Sequence, residues 1–203
     1  MAKLKTMLSA AMLALSASQT LAQSPEPNAR ALVTPAVLGE MRKLIDSEIV
    51  QISIAAQNRH HQKLTQSEID ALDKQWRAER EQDDKPLIAA TLSNPLSVYL
   101  ARIQGRSLGL YAEIFVMDQN GLNVGQSSVT SDFWQGDEDK FQKTFDVSND
   151  AVFIDAPEWD DEAKIWRGQV SFTVAQSADK KPIGAVTVEL NLTELERRAA
   201  AGI

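Results

Sequence analysis

The hydrophobic repeat of this chain changes once, and that change bounds the fold. Up to "QGRS", Gln104–Ser107, apolar residues recur every three or four positions; beyond it they recur every second position. The first part reads as helices and the second as strands. Helices followed by strands predict an α+β fold with an antiparallel sheet, made of a helical region 34–105 and a sheet region 110–200.

In the helical part, Pro35 suits a first turn, and Leu38, Met41, Ile45, Ile49, Ile52 and Ala56 follow as one apolar stripe. The stripe predicts a single long helix from Thr34 to about His60, packed on one face of the sheet. Its spacing is close to a heptad, so pairing with a second copy as a homodimer is an alternative use of the same face. Thr65 with Glu68 three residues on forms a capping-box pattern for the next helix. A third helical run, Leu87 to Ile103, is interrupted around Pro95.

The sheet part opens with "LYAEIFVMD". "DQNG" then places Asn120-Gly121 for a type I′ hairpin turn, and "LNVGQ" is the return strand. Ala151–Asp155, Ile165–Val174 and Ile183–Leu190 complete about five strands, and a short helix starts at Thr193. Val152 and Ile154 alternate with Phe153 and Asp155, and Val170, Phe172 and Val174 with Gln169, Ser171 and Thr173. Val186, Val188 and Leu190 alternate in turn with Ala185, Thr187 and Glu189. One face is therefore aliphatic and packs on the helices, while the other is small and polar.

Between the second and third strands lies "SDFWQGDEDKFQKTF", Ser131–Phe145. Aromatic residues are 6% of the chain, yet Phe133, Trp134, Phe141 and Phe145 fall in this one stretch. With Asp137 as a helix N-cap, Phe141 and Phe145 are i, i+4 neighbours and Trp134 lies on the same ridge. Folded over the polar face, the stretch closes either a ligand pocket or a second minor core.

Residues 1–22 carry Lys3 and Lys5, an apolar run Met7–Leu15 and the small residues before a cut near Ala22, the pattern of a secretory signal peptide. The run is too short to span a bilayer, for which about 20 residues are needed. An exported chain with no cysteine must rely on a hydrophobic core, which suits a bacterial periplasm. Residues 23–33 read as a flexible, Pro-containing lead and 34–203 as one domain. A net charge of −7 without a basic run argues against nucleic acid as a partner.

The order of parts, together with "FVMDQNGLNVGQSSVTSDFWQGDE" and the closing "PIGAVTVELNLTEL", resembles single-domain members of the extracytoplasmic PAS-like sensors called Cache or PDC domains. The resemblance runs from Thr34 to about Glu196. It implies a five-stranded antiparallel sheet backed by a long helix. It also implies binding of a small metabolite, a carboxylate or amino acid, on behalf of a chemoreceptor, histidine kinase or cyclase. With no membrane span and no output module after Leu195, the chain is expected to report to a membrane-bound receptor or kinase.

Trp134 is expected to form a pocket wall, with an N–H to donate. Asp155 beside Phe153 on the third strand, and Gln169 and Ser171 on the fourth, offer polar groups to the same space. Glu189 takes the position at which related amino-acid-binding domains carry an Asp for the ligand amine, as the resemblance implies. Lys140 and Arg167 are the nearest cations for a ligand carboxylate. Each of these residues has packing or a solvated surface as its ordinary alternative.

No cofactor, metal or catalytic residue is expected. The chain has no Cys, and "VGQSSV" lacks a nucleophile elbow. His60 and His61 diverge on a helix, and "DAPEWDDE", Asp155–Glu162, reads as an exposed connection without calcium-loop spacing. The readings carried forward are a periplasmic ligand-binding sensor module and, as alternatives, a ligand-free interaction protein acting through its helical face, and a hydrolase using paired acids such as Asp155 and Glu189.

Overall fold

The computed structural model describes residues 24–202; the signal-peptide reading lies outside them. The helical part comprises α1 (Ala29–Leu32), α2 (Pro35–Ile45), α3 (Glu48–His60), α4 (Gln66–Arg80), α5 (Pro86–Ser93) and α6 (Pro95–Arg106). The sheet part comprises β1 (Tyr111–Met117), β2 (Asn123–Gln126), α7 (Asp139–Gln142), β3 (Val152–Ile154), β4 (Glu158–Asp160), β5 (Ile165–Ala175), β6 (Pro182–Asn191) and α8 (Leu192–Ala201). All pairings are antiparallel, in the order β2-β1-β6-β5-β3, with β4 also on β5.

The expected long helix is two helices. Asp46 closes α2 and Ser47 is extended, with φ −124° and ψ 150°, before α3 resumes. Asp and Ser compete with helical hydrogen bonding, and two in succession suit an end better than an interior. The break resets the phase of the stripe. Met41 and Ile45 stay inward, but beyond the break Val50 and Ile54 face the sheet at 0% exposure, while Ile52 is 55% exposed. The segment expected as a loose lead is tied down as well. Trp166 Nε1 donates to Ser24 O at 2.9 Å, and Ala29 and Val33 join the main core.

Local signals held elsewhere. Thr65 and Glu68 form the capping box of α4. Asn94 ends α5 and caps α6 through Ser97 N, with Pro95 in the first turn. Asn191, not Thr193, caps α8, because the Thr193 hydroxyl accepts the Trp166 N–H at 2.9 Å instead. Glu138 rather than Asp137 precedes α7.

The β1–β2 turn is not type I′. Gly121 N donates to Asp118 O, which makes Gln119 and Asn120 the central residues; neither has a positive φ, whereas Gly121 after them has +78°. That is a type I turn followed by a left-handed glycine, the arrangement of a bulged hairpin. A Cβ at Gly121 would also lie 2.5 Å from Gly136 Cα, so the turn and the loop after β2 touch backbone to backbone.

The sheet separates three clusters. On its aliphatic face Ile114, Val116, Val170, Phe172, Val186, Val188 and Leu190 pack with α2, α3 and α6. On the other face Phe115, Met117 and Ala185 lie beneath Phe141 and Phe145, which stack at 5.1 Å. A third cluster joins α4 and α5 to the loop after β2 through Trp76, Ile69, Ile88, Leu122 and Phe133. "EWD" within the expected connection is the added strand β4, held by the Trp159–Trp166 pair at 5.5 Å.

Candidate functional site

On the polar face, beyond the aromatics of α7, the sheet is left open. Gln169 and Arg167 of β5, Glu189 of β6, Asp155 and Ala156 after β3, Glu158 of β4 and Glu138 and Lys140 of the α7 region line a cleft of about 220 Å³. It is smaller than the ~300–1,000 Å³ of drug-sized pockets and suits a small metabolite. The strand register builds it: Gln169 pairs with Glu189 and Glu189 with Glu113, three polar side chains abreast on neighbouring strands.

Five expected residues meet here: Lys140, Asp155, Arg167, Gln169 and Glu189. Arg167 bonds Glu189 Oε2 through Nη1 at 2.9 Å and Asp160 Oδ2 through Nη2 at 2.5 Å, while its Nε is buried without a partner. Lys140 Nζ reaches Glu138 Oε2 at 2.9 Å and lies 5.6 Å above the Phe115 ring, its side chain only 13% exposed. Asp155 Oδ1 accepts only the adjacent Ala156 N–H. Both signs of charge therefore stand in one small space, with the acids in excess.

The other three do not line the cleft. Ser171 is fully buried and its hydroxyl bonds that of Thr187 at 2.9 Å. Phe153 lies under Lys143 at 4.8 Å. Trp134 is on the wrong side of the loop for a pocket wall. Its Nε1 donates to Asn120 O at 2.8 Å, its backbone N–H is held by Asp73, and its ring packs on the α4–α5 cluster. The ridge drawn from Trp134 to Phe145 thus divides: Trp134 faces α4, while Phe141 and Phe145 cover the sheet.

Glu113 is the residue that sequence reading missed. It sits on β1 directly across from Glu189 and accepts the Ser128 hydroxyl at 2.6 Å. Its parity with Phe115 and Met117, an acid among apolar neighbours on one strand face, was the available signal. Burial pushes its carboxyl above the ordinary range; the Ser128 bond opposes this, Glu189 adds to it, and Lys140 and Arg167 oppose it. An acid harder to ionise in the folded state contributes stability below its unfolded value, near 4.5, that is lost as pH rises through the folded value. Glu113→Gln is therefore expected to melt higher than the parent at neutral pH and equally near pH 4, as read by thermal melts across pH. A lower melt at pH 7 would show that the Glu113 charge is stabilising instead.

Facing acids with no nearby cation would favour the hydrolase reading. The Arg167–Glu189 bond removes that condition.

No family model and no curated protein matches the chain. Among the solved structures similar to it are sensory ligand-binding domains of chemoreceptors and histidine kinases. They include the ligand-binding domain of the Campylobacter jejuni chemoreceptor Tlp3 in complex with 4-methylisoleucine, at 15% identity over 84% of this chain and 66% of that one, TM-score 0.38. The ligand-binding domain of the Pseudomonas aeruginosa amino-acid chemoreceptor PctC with GABA matches at 16% identity over 80% and 63%, TM-score 0.36. The sensor domain of the Vibrio cholerae histidine kinase DctB matches at 15% over 80% and 58%, TM-score 0.36. The chain spans less than two thirds of the length of each.

Proposed function

We propose that this chain is an exported, periplasmic sensor module, not an enzyme, which binds a small amino-acid-like metabolite and reports to a membrane-bound receptor or kinase. The observation that carries the reading is the convergence of Asp155, Glu189 and Gln169 with Lys140 and Arg167 in one cleft. A ligand ammonium meets the acids Glu189 and Asp155; a ligand carboxylate meets the guanidinium or ammonium opposite. Paired charges within the cleft exchange partners when the ligand enters, so neither cation nor acid is left alone in a half-buried space. The domain proposed is 34–203 together with the lead that Ala29 and Val33 tie to its core, with a cut near Ala22 upstream.

Thermal melting of the exported protein against amino acids, amines, short carboxylates, purines and divalent metals tests it. A ligand at 100 times its dissociation constant adds about 2.7 kcal/mol, a rise of roughly 5–10 °C for a domain of this size. The hit is expected to be lost in Glu189→Gln and retained in Trp134→Phe. No shift with any amine or amino acid, in a protein that melts cooperatively, would reject the reading.

A ligand-free interaction protein remains the second reading, since two observations favour it. The space under Trp134 is filled by Trp76 and Phe133, stacked at 5.2 Å, and Ile52 stands bare on α3. Docking or self-association through that face is expected to fail in Ile52→Lys, whereas cleft variants leave it intact.

A further inference from the structure

A second cavity, of about 430 Å³, opens on the opposite face of the sheet, between the α2–α3 break, the C-terminal half of β5 and the segments around Asp150 and Ser177. Its floor is apolar: Ile45, Phe172 and Val174 are all buried. Over that floor lies Arg42, whose guanidinium carbon is 5.0 Å from the centre of the Phe172 ring. Arg42 is half-buried, makes no ion pair among the described residues, and donates only a long bond, 3.5 Å, from Nη2 to Asp150 O. A guanidinium has five N–H donors, so most of its capacity is unspent in a partly desolvated place.

The rest of the lining narrows the chemistry. Gln51 is already committed, its Nε2 donating to Ala175 O and its Oε1 accepting from Ser177 N, so it closes one end rather than receiving a ligand. Asp46 and Asp150 are exposed rim charges, where water and salt screen them, and exposed Lys180 offsets one of them. The sign of the cavity is therefore set by the one charge embedded in it. Stacking on an aromatic face leaves the edge of a guanidinium free for a planar anion, the geometry in which arginine binds carboxylates.

We propose that this cavity is a second binding site, distinct from the cleft, which takes a small carboxylate with a short apolar tail. The carboxylate pairs with Arg42 and the tail enters the gap edged by Ile45, Phe172 and Val174.

Titration of the exported protein with hexanoate, followed by calorimetry and by methyl NMR shifts of Ile45 and Val174, tests the proposal, with hexylamine and hexanol as matched probes. Hexanoate is expected to bind and to move those methyls, and both matched probes to fail. Arg42→Gln is expected to weaken hexanoate roughly tenfold or more, the loss of a charge-assisted pair, with its melting temperature showing the fold retained. Glu189→Gln is expected to leave hexanoate binding unchanged, which separates this site from the cleft. Absence of hexanoate binding overturns the proposal. So does equal binding of hexanol, unchanged affinity in Arg42→Gln, or loss of binding in Glu189→Gln.

Discussion

Trp76→Ala is expected to destabilise the protein by about 3–5 kcal/mol, the range for removing a large buried aromatic, and to lower its melting temperature by roughly 10 °C. Trp76 is fully buried, stacks on Phe133 at 5.2 Å and donates its Nε1–H to Thr130 O at 3.0 Å. It is the main attachment of α4 to the loop after β2, beside Ile69, Ile88 and Leu122. Nothing small can refill that space, because Phe133 and Trp134 are held by the Asp73 carboxylate, which accepts both of their backbone N–H groups. Hydrogen exchange should show the amides of α4 and the 130–136 loop losing protection before those of β5 and β6. A loss below about 1 kcal/mol would mean that the cluster contributes little and that α4 is held by its ends.

The second large effect is expected at Asp118. Its side chain is fully buried at the β1–β2 turn, and its two oxygens serve four groups. Oδ1 accepts Asn120 N and Leu122 N at 2.8 and 3.1 Å; Oδ2 accepts Gln57 Nε2 and faces His61 Nδ1, both at 3.0 Å. Alanine there orphans the turn amides and the end of α3 together. The expected cost is about 3–5 kcal/mol, since several buried donors lose their acceptor at once at about 1–3 kcal/mol each. Asp118→Asn keeps the acceptor for the turn and loses part of the contact with α3, so chemical denaturation should place it between alanine and the parent. If alanine costs no more than asparagine, the turn is not organised by this carboxylate. The consequence extends beyond the turn, because Asn120 O is the acceptor for Trp134 Nε1.

Sequence and structure diverge where the physical cause is not local. The helix-then-strand order, the capping box at Thr65, the Pro95 break and the face alternation of β3, β5 and β6 follow from short-range propensity and periodicity, and were legible. The phase of α3 was not: a stripe through Ile49, Ile52 and Ala56 looks continuous until Asp46 and Ser47 end α2, and burial of Val50 and Ile54 then decides which side faces inward. The destination of Trp134 was also hidden. Its spacing from Phe141 suggested one ridge, but the acceptor at Asn120 and the carboxylate at Asp73 belong to other elements.

The candidate site shows the same division. Parity along each strand put Gln169, Arg167 and Glu189 on the polar face, because side chains alternate whatever the neighbours are. Register across strands brought Glu113 opposite Glu189 and tied Arg167 to Glu189 and Asp160, and register depends on hydrogen bonding between segments far apart in the chain. By itself, then, the sequence determined the α+β order and which residues could face a ligand. Tertiary structure alone decided which of them share a cleft, since charges two strands apart meet only after the sheet has closed between them.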